Sequence, residues 1–357
     1  MVRGSRSVRW SCFVSLFLAL SSVFGFACKS ADPGAAGARG SAPAVTAAAA
    51  NNARSDLPAS SASAPVAAKE APPSTPSADW ARPFLWRIDG PTRGAAAKPS
   101  YLMGTIHIPD ERLDPLLASV QRAFDASDVV VTEIPMDSLA QLKIAPMLML
   151  PNGQTLDAVL APKLSARLDA YLTQKGFPVA PLSHMKVWVI ATQLVLLDHM
   201  QAFATMQPLD AILSADAKSA GKETAALETI EQQLGIFGDL SATEQQRMLE
   251  QTLDQMQGDA GDPTAEILAA YLAGDDAKLT AVMDAANDPR NPLDMKMKKR
   301  LITDRNVTMS ASMVALLKAN PGKSYFFAVG AAHTVGADGV AATLAKSGMT
   351  MTRLARD

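Results

Sequence analysis

The chain has 357 residues, with 33 Lys and Arg against 35 Asp and Glu and a net charge of −2. That balance excludes a nucleic-acid partner, because phosphate binding needs a basic surface. Its two cysteines, Cys12 and Cys28, both lie at the front, so the remainder offers no thiolate metal site and no cysteine nucleophile, and must be stable through its core alone.

The first element along the chain reads as a targeting segment. Arg3, Arg6 and Arg9 make a basic start, residues 10–27 carry no charge, and Cys28 follows a small residue, the pattern of a secretory signal over 1–28. Ala27-Cys28 also resembles a lipoprotein cleavage site, although Gly25 and Phe26 depart from its usual form. Cys28 is therefore the candidate lipidation site, and a lipid there is the expected route to a membrane. The alternative, a retained anchor, needs about 20 apolar residues and has fewer here. Residues 29–79 are Ala, Ser, Pro and Gly with few large apolar side chains, which predicts a disordered tether. The folded part is expected over 80–357, enough for one domain with a sizeable core.

Within it, residues 100–104 form a short apolar run ending in glycine, a buried strand entering a loop. Leu113, Leu116, Leu117, Val120 and Phe124 make a helical stripe over 112–127. "DVVVTEIP" (128–135) is a β-branched run closed by proline, a second strand. Strand, helix and strand together predict a parallel pair with a crossover. Residues 138–218 turn helical, and the uncharged stretch 187–197 is too short to span a bilayer and reads as a buried core helix. "GKETAALE" (221–228) predicts a strand, and 229–318 is mostly helical, broken near "GDAGDP" (258–263) and "NDPRNP" (287–292). "KMKKR" (296–300) reads as a solvated helix face. "SYFFAVGAAH" (324–333) predicts a strand, followed by a helix over 339–346 and a last strand, "MTMTRLA" (349–355). The expected fold is α/β, a single compact domain with a largely helical middle, whose central sheet is formed by N- and C-terminal strand segments.

Chemistry concentrates at the predicted strand ends. "SYLMGTIH" (100–107) and "SYFFAVGAAH" (324–333) share a Ser-Tyr start, an apolar run and Gly-x-x-His. Two of the four histidines carry glycine at that spacing, about a 2% accident, so His107 and His333 are read as a pair. Ligands of α/β sheets bind beyond the carboxyl ends of strands, glycine lets the backbone turn or approach closely, and imidazole suits Zn²⁺, Mn²⁺ and similar ions. The alternative is that both histidines are structural groups satisfied by hydrogen bonds. Glu133 and Glu228 end two further strands, and each is costly to bury without a partner. Two His and two Glu make a mixed N/O site for a hydrolytic metal centre, with a glutamate as ligand or as general base. Taken singly, each glutamate also reads as a salt-bridge partner. Arg305, beside Asn306, is placed to hold a substrate carboxylate or an oxyanion, with helical charge pairing the plainer reading. His184 and His199 read as helix-end histidines. The sequence has no HExxH, GxSxG, P-loop or GxGxxG, so phosphoryl transfer, zincin proteolysis and serine-hydrolase chemistry have no support.

Taken in order, "YLMGTIHI", "DVVVTEI", "LETIEQQL" (227–234), "DRNVTM" (304–309) and "FFAVGAAHTVGADGV" (326–340) resemble the TraB/GumN family, which includes the Tiki metalloproteases and PrgY-like pheromone inhibitors. The resemblance covers residues 86–354. It implies an erythromycin-esterase/ChaN-like fold with the two Gly-x-x-His segments together, and a divalent-metal-dependent protease favouring Mn²⁺ or Co²⁺, with Zn²⁺ third. Carried over by motif, it implies metal ligation by His107, His333 and Glu133, catalytic roles for Glu133, Glu228 and Arg305, and substrate binding by Arg305 and Asn306. One departure is Val187-Trp188, where many relatives have Pro-Trp. The reading is a metal-dependent hydrolase of the cell envelope, a metallopeptidase acting on peptides or proteins. The alternatives are a peptide-sequestering envelope protein of the PrgY kind and an ester hydrolase.

Overall fold

The computed structural model describes residues 77–90, 98–258 and 263–357. The signal segment, Cys28, most of the expected tether and the middle of "GDAGDP" lie outside the described residues. The described part begins just before the expected boundary: Ser77 and Ala78 accept hydrogen bonds from Arg356, and Trp80 is fully buried.

In chain order the elements that position the site are β1 (Leu85–Asp89), β2 (Ser100–Thr105), α1 (Ala118–Asp125), β3 (Val129–Thr132), α2 (Val187–Leu194), α3 (Leu209–Ser219), β4 (Glu223–Ala226) and α4 (Ile230–Gly238). They continue with α5 (Pro263–Ala273), α6 (Asp304–Ala319), β5 (Tyr325–Gly330), α7 (Ala331–Thr334), α8 (Val340–Lys346) and β6 (Thr350–Arg353). One six-stranded sheet has the order β4-β3-β5-β2-β1-β6. Strands β2, β3, β4 and β5 run parallel, and β1 is antiparallel to both β2 and β6. Every residue of β3 and β5 is buried, as expected of central parallel strands covered on both faces.

The expected parallel pair is parallel but not adjacent: β5, from the far end of the chain, lies between β2 and β3. The two Ser-Tyr starts lock that insertion. Ser100 Oγ accepts from Tyr325 N at 3.0 Å, and Ser324 Oγ donates to Pro99 O. Thr105 falls opposite Gly330, so the two copies of the motif sit one residue out of step.

Three expectations shift. The helix over 112–127 is interrupted: a 3-10 turn spans Glu111–Leu113, Asp114-Pro115 is cis, and α1 starts at Ala118, because proline cannot donate within a helix interior. The strand over 324–333 ends at Gly330, and His333 lies on the short helix α7. Strand β1 was unanticipated; Arg87 and Asp89, which pair with each other across solvent, disguise its apolar alternation. The stretch from 187 is a buried helix as expected, and no single helix among the described residues is long and apolar enough to cross a membrane. Val187 is the first residue of α2, where a backbone N–H has no intrahelical partner and proline is equally at home. Trp188 stacks on Phe237 at 5.4 Å, so that departure concerns packing. The basic run is committed to neighbours: Lys296 to Glu244, Lys298 to Asp284, Lys299 to Asp304, and Arg300 to Ile236 O.

Gly104 earns its place by close approach. A Cβ there would lie 2.8 Å from Phe84 Cβ and 3.0 Å from Ala331 Cα, while its own N–H and C=O bond Phe84 O and Tyr271 Oη at 2.6 and 2.8 Å. Overpacking of this kind costs about 1–3 kcal/mol. Gly104→Ala is therefore expected to lower the unfolding free energy from urea denaturation by that amount, and an unchanged midpoint would contradict the packing described.

Candidate functional site

The carboxyl ends of the four parallel strands deliver the motif side chains to one place. Two residues past β2 comes His107, one past β3 comes Glu133, two past β4 comes Glu228, and β5 passes through Gly330 into α7 and His333. The backbone ladder continues beyond β3 and β4, with Leu227 N donating to Thr132 O at 3.0 Å and Glu228 N to Glu133 O at 2.8 Å. That continuation sets the two glutamates side by side. Their side chains, the two histidines, Arg305 and Asn306 are all between 1% and 8% exposed, so protein groups, not water, must satisfy them.

Arg305 does most of this. Its Nη2 donates to Glu133 Oε2 and Glu228 Oε2, each at 2.6 Å, its Nε reaches both Glu228 oxygens at 3.0 Å, and its Nη1 donates to His333 Nε2 at 2.9 Å. Its main partners are borne on the strand ends, so the helical charge pairing considered for Arg305 is replaced by a cross-sheet network. A π turn over Lys299–Thr303 leads into α6, a device frequent at functional sites.

The ring orientations follow from the partners. Asn306 Nδ2 donates to Asp338 O at 2.8 Å, so its Oδ1, 2.7 Å from His333 Nδ1, accepts from that nitrogen. His333 is thus neutral, with its Nε2 lone pair held by Arg305. Burial and then the Arg305 charge push its pKa down to about 3. His107 Nδ1 lies 3.0 Å from Asp210 Oδ1; a carboxylate can only accept, so the ring donates and its Nε2 edge faces Gly330. A Cβ on Gly330 would lie 3.4 Å from both His107 Nε2 and Glu133 Oε1 and 3.6 Å from His333 Cδ2, so the three side chains surround that glycine. Burial, the largest influence, pulls the His107 pKa down, but the charge and hydrogen bond of Asp210, with Glu133, together raise it. For Glu133, burial is outweighed by Arg305, His333, His107 and the Gly330 N–H, 2.7 Å from its Oε1, and the carboxyl sits well below its usual range.

Two members of the network escaped sequence reading. Gln233 donates to Glu133 Oε2 at 2.9 Å and to Glu228 Oε2 at 3.4 Å. It stands on α4, whose start is fixed by a capping box between Thr229 and Gln232, and "LETIEQQL" already contained it. Asp210, in the first turn of α3, looked like an ordinary helix-start acid, and no spacing ties it to His107. His184 is exposed with Nδ1 3.0 Å from Gln154 O, and His199 closes a 3-10 turn, as helix-end histidines do.

A family model described as the TraB/PrgY/gumN family matches residues 84–353. The chain belongs to the TraB/PrgY/gumN family. It is similar to Metalloprotease TIKI2 of Danio rerio, 29% identical over 313 residues, covering 74% of this chain and 60% of that protein. It is also similar to Metalloprotease TIKI1 of Danio rerio, 28% identical over 74% of this chain and 62% of that one. Metalloprotease TIKI1 of Homo sapiens is 26% identical, over 74% and 60%. The chain thus spans about three fifths of the length of these relatives. No solved structure matches.

These relatives are named metalloproteases, and the donor types in this TraB/PrgY/gumN site, imidazole and carboxylate, suit a divalent ion. Their arrangement does not: among the described residues no three His, Cys, Asp or Glu side chains are grouped to hold an ion. Arg305 takes both carboxylates and the His333 lone pair instead.

The His333 environment has a pH signature. Between pH 6.5, its ordinary value, and about 3, the unfolded chain binds a proton that the folded chain refuses, so stability is complete above the window and falls as pH falls through it. His107, with a raised value, is protonated in both states below 6.5 and adds no slope there, while Glu133 adds in the same direction as His333 only below its ordinary 4.5. Urea unfolding of the wild type is expected to weaken from pH 6.5 to 4.5 by up to about 1.4 kcal/mol per pH unit more than that of His333→Gln. Parallel curves for the two proteins would contradict a neutral, Arg305-bound imidazole.

Proposed function

We propose that this chain is a metal-dependent hydrolase, a metallopeptidase acting on peptides or proteins, whose active site is the network at the carboxyl edge of the sheet. The observation that carries the reading is the convergence of Glu133, Glu228 and His333 from beyond three parallel strand ends onto Arg305, with His107, from the fourth, beside Gly330 and Glu133. The relatives' names support the reaction class; the metal proposed is Mn²⁺ or Co²⁺, with Zn²⁺ third. The reading includes an erythromycin-esterase/ChaN-like fold, supported by the adjacency of the two histidine-bearing strands. It also includes export to the cell envelope, supported by the signal-like residues 1–28, with lipidation of Cys28 where that segment is cleaved as a lipoprotein.

Peptide hydrolysis needs a base for water, a proton donor for the leaving amine and positive charge at the developing oxyanion. Glu133 or Glu228 is the base. Arg305, with Asn306 behind His333, is the cation that meets the carbonyl oxygen or a substrate carboxylate. His107, oriented by Asp210, presents Nε2 toward the same space as the donor.

The test incubates the full chain with a peptide library in Mn²⁺ or Co²⁺ and in EDTA, and separates the products by mass spectrometry. Metal-dependent cleavage is expected, reduced by at least about 100-fold in kcat/KM by Glu133→Gln, Glu228→Gln or His107→Ala. Peptides bound and recovered intact, with no effect of chelator, would mark a sequestering protein instead. Small esters turned over while peptides stay whole would mark an ester hydrolase.

A further inference from the structure

Just past His333 the chain runs into "VGADG" (335–339), which sends no side chain to the network yet holds two glycines three residues apart. Gly336 has φ +81°, the left-handed region that few side chains other than Asn and Asp tolerate. A Cβ on Gly339 would lie 2.4 Å from Val335 O and 2.8 Å from Thr334 O, too close for any side chain. The two glycines fold the chain back at the end of α7 and launch α8 at Val340. The carbonyls of this turn are nearly all spent locally. Gly336 O accepts from Gly339 N at 3.2 Å, Ala337 O from Lys346 Nζ at 2.8 Å and Gly339 O from Thr343 N at 2.9 Å. Asp338 is exposed, but its carbonyl is committed inward, accepting from the buried Asn306 Nδ2 at 2.8 Å.

That carbonyl is the last link of a directed chain. Arg305 Nη1 can only donate and Asp338 O can only accept, whereas the imidazole and the amide between them can do either. With both ends fixed, each link has one sense: Arg305 Nη1 to His333 Nε2 at 2.9 Å, His333 Nδ1 to Asn306 Oδ1 at 2.7 Å, and Asn306 Nδ2 to Asp338 O. A flipped Asn306 amide would set donor against donor at the ring and oxygen against oxygen at the turn. Asn306 and His333 are both buried, so water cannot repair either mismatch. We propose that the turn over 335–339 is a positioning element: its Asp338 carbonyl holds the Asn306 amide and, through it, the His333 ring. The inference rests on the hydrolase reading only for treating His333 as a working group. It assigns the turn's glycines to the site, since the side chain at 338 takes no part and only the path of the backbone places the oxygen.

The test reads the ring itself, at one fixed pH and without substrate. The full chain is prepared with nitrogen-labelled histidine, and exchange of the His333 Nδ1 proton with water is followed by NMR, with the His107 Nδ1 proton, held by Asp210, as internal reference. Gly336 is the position to vary, because a Cβ there has no neighbour within 4 Å and can reach the ring only through the backbone of the turn. Gly336→Val, whose branched side chain resists positive φ, is expected to speed exchange of the His333 proton at least about tenfold, the scale of one lost hydrogen bond. Gly336→Asn, which tolerates that φ, is expected to restore the wild-type rate, and the His107 signal is expected to stay unmoved in both. Asn306→Ala, which removes the acceptor, marks the rate of an unheld ring. An unchanged His333 rate in Gly336→Val overturns the proposal. So does equal acceleration in Gly336→Asn, or acceleration of both histidines together, which marks general loosening. None of these results touches the hydrolase reading, which stands or falls on the peptide cleavage assay.

Discussion

Two carboxylates set side by side in a dry interior are the constraint around which this molecule is arranged. The ladder between β3 and β4 runs one step past the strands and brings Glu133 and Glu228 together. No side chain of the buried neighbouring strands β3 and β5 carries a charge that could offset that. The offset comes from Arg305 on α6, from Gln233 on α4 and from the Gly330 N–H. Each of these contacts fixes an element against the sheet. Removing the pair of charges would relax the demand on all of them; removing only the arginine would leave a penalty of about 3–5 kcal/mol, typical of a buried charge stripped of its partner.

Much of this was legible in sequence where the signal was both local and repeated. Continuous apolar runs such as "VVVT" and "YFFAVG" identify buried parallel strands because no face of them meets water, and the doubled Gly-x-x-His placed His107 and His333 at strand exits. The pairing order was not legible. Nothing in residues 100–135 says that a strand made almost two hundred residues later comes between β2 and β3, because hydrogen bonds of a parallel ladder carry no residue identity. Asp210 was invisible for a different reason: a helix-start aspartate is commonplace, and only the fold makes it the partner of His107. The position of Arg305 argued for pairing along its helix, yet burial and partners reached from beyond three strand ends, Glu133, Glu228 and His333, decide otherwise.

The two glycines of the repeated motif serve different ends despite identical spacing. Gly104 is there for contact, since a methyl group has no room between Phe84 and Ala331. Gly330 is there for a donor and a clearing: its N–H holds Glu133, and the space over its Cα is shared by His107, Glu133 and His333. Because the copies pair one residue out of step, the same four-letter pattern buries one histidine against α3 and directs the other at α6. Likeness of sequence here is not likeness of role.

The place of β5 in the sheet also bears on how the chain comes off the ribosome. Until Tyr325–Gly330 has been made, β2 and β3 have no common neighbour, Glu133 lacks the Gly330 N–H, and Arg305 lacks the imidazole of His333. Every earlier stage of synthesis therefore holds an open sheet with unpaired central edges, a species prone to association. Completion of the sheet and assembly of the site are one event, late and all at once. An incomplete chain thus lacks the assembled network and exposes its open sheet until its last strands arrive.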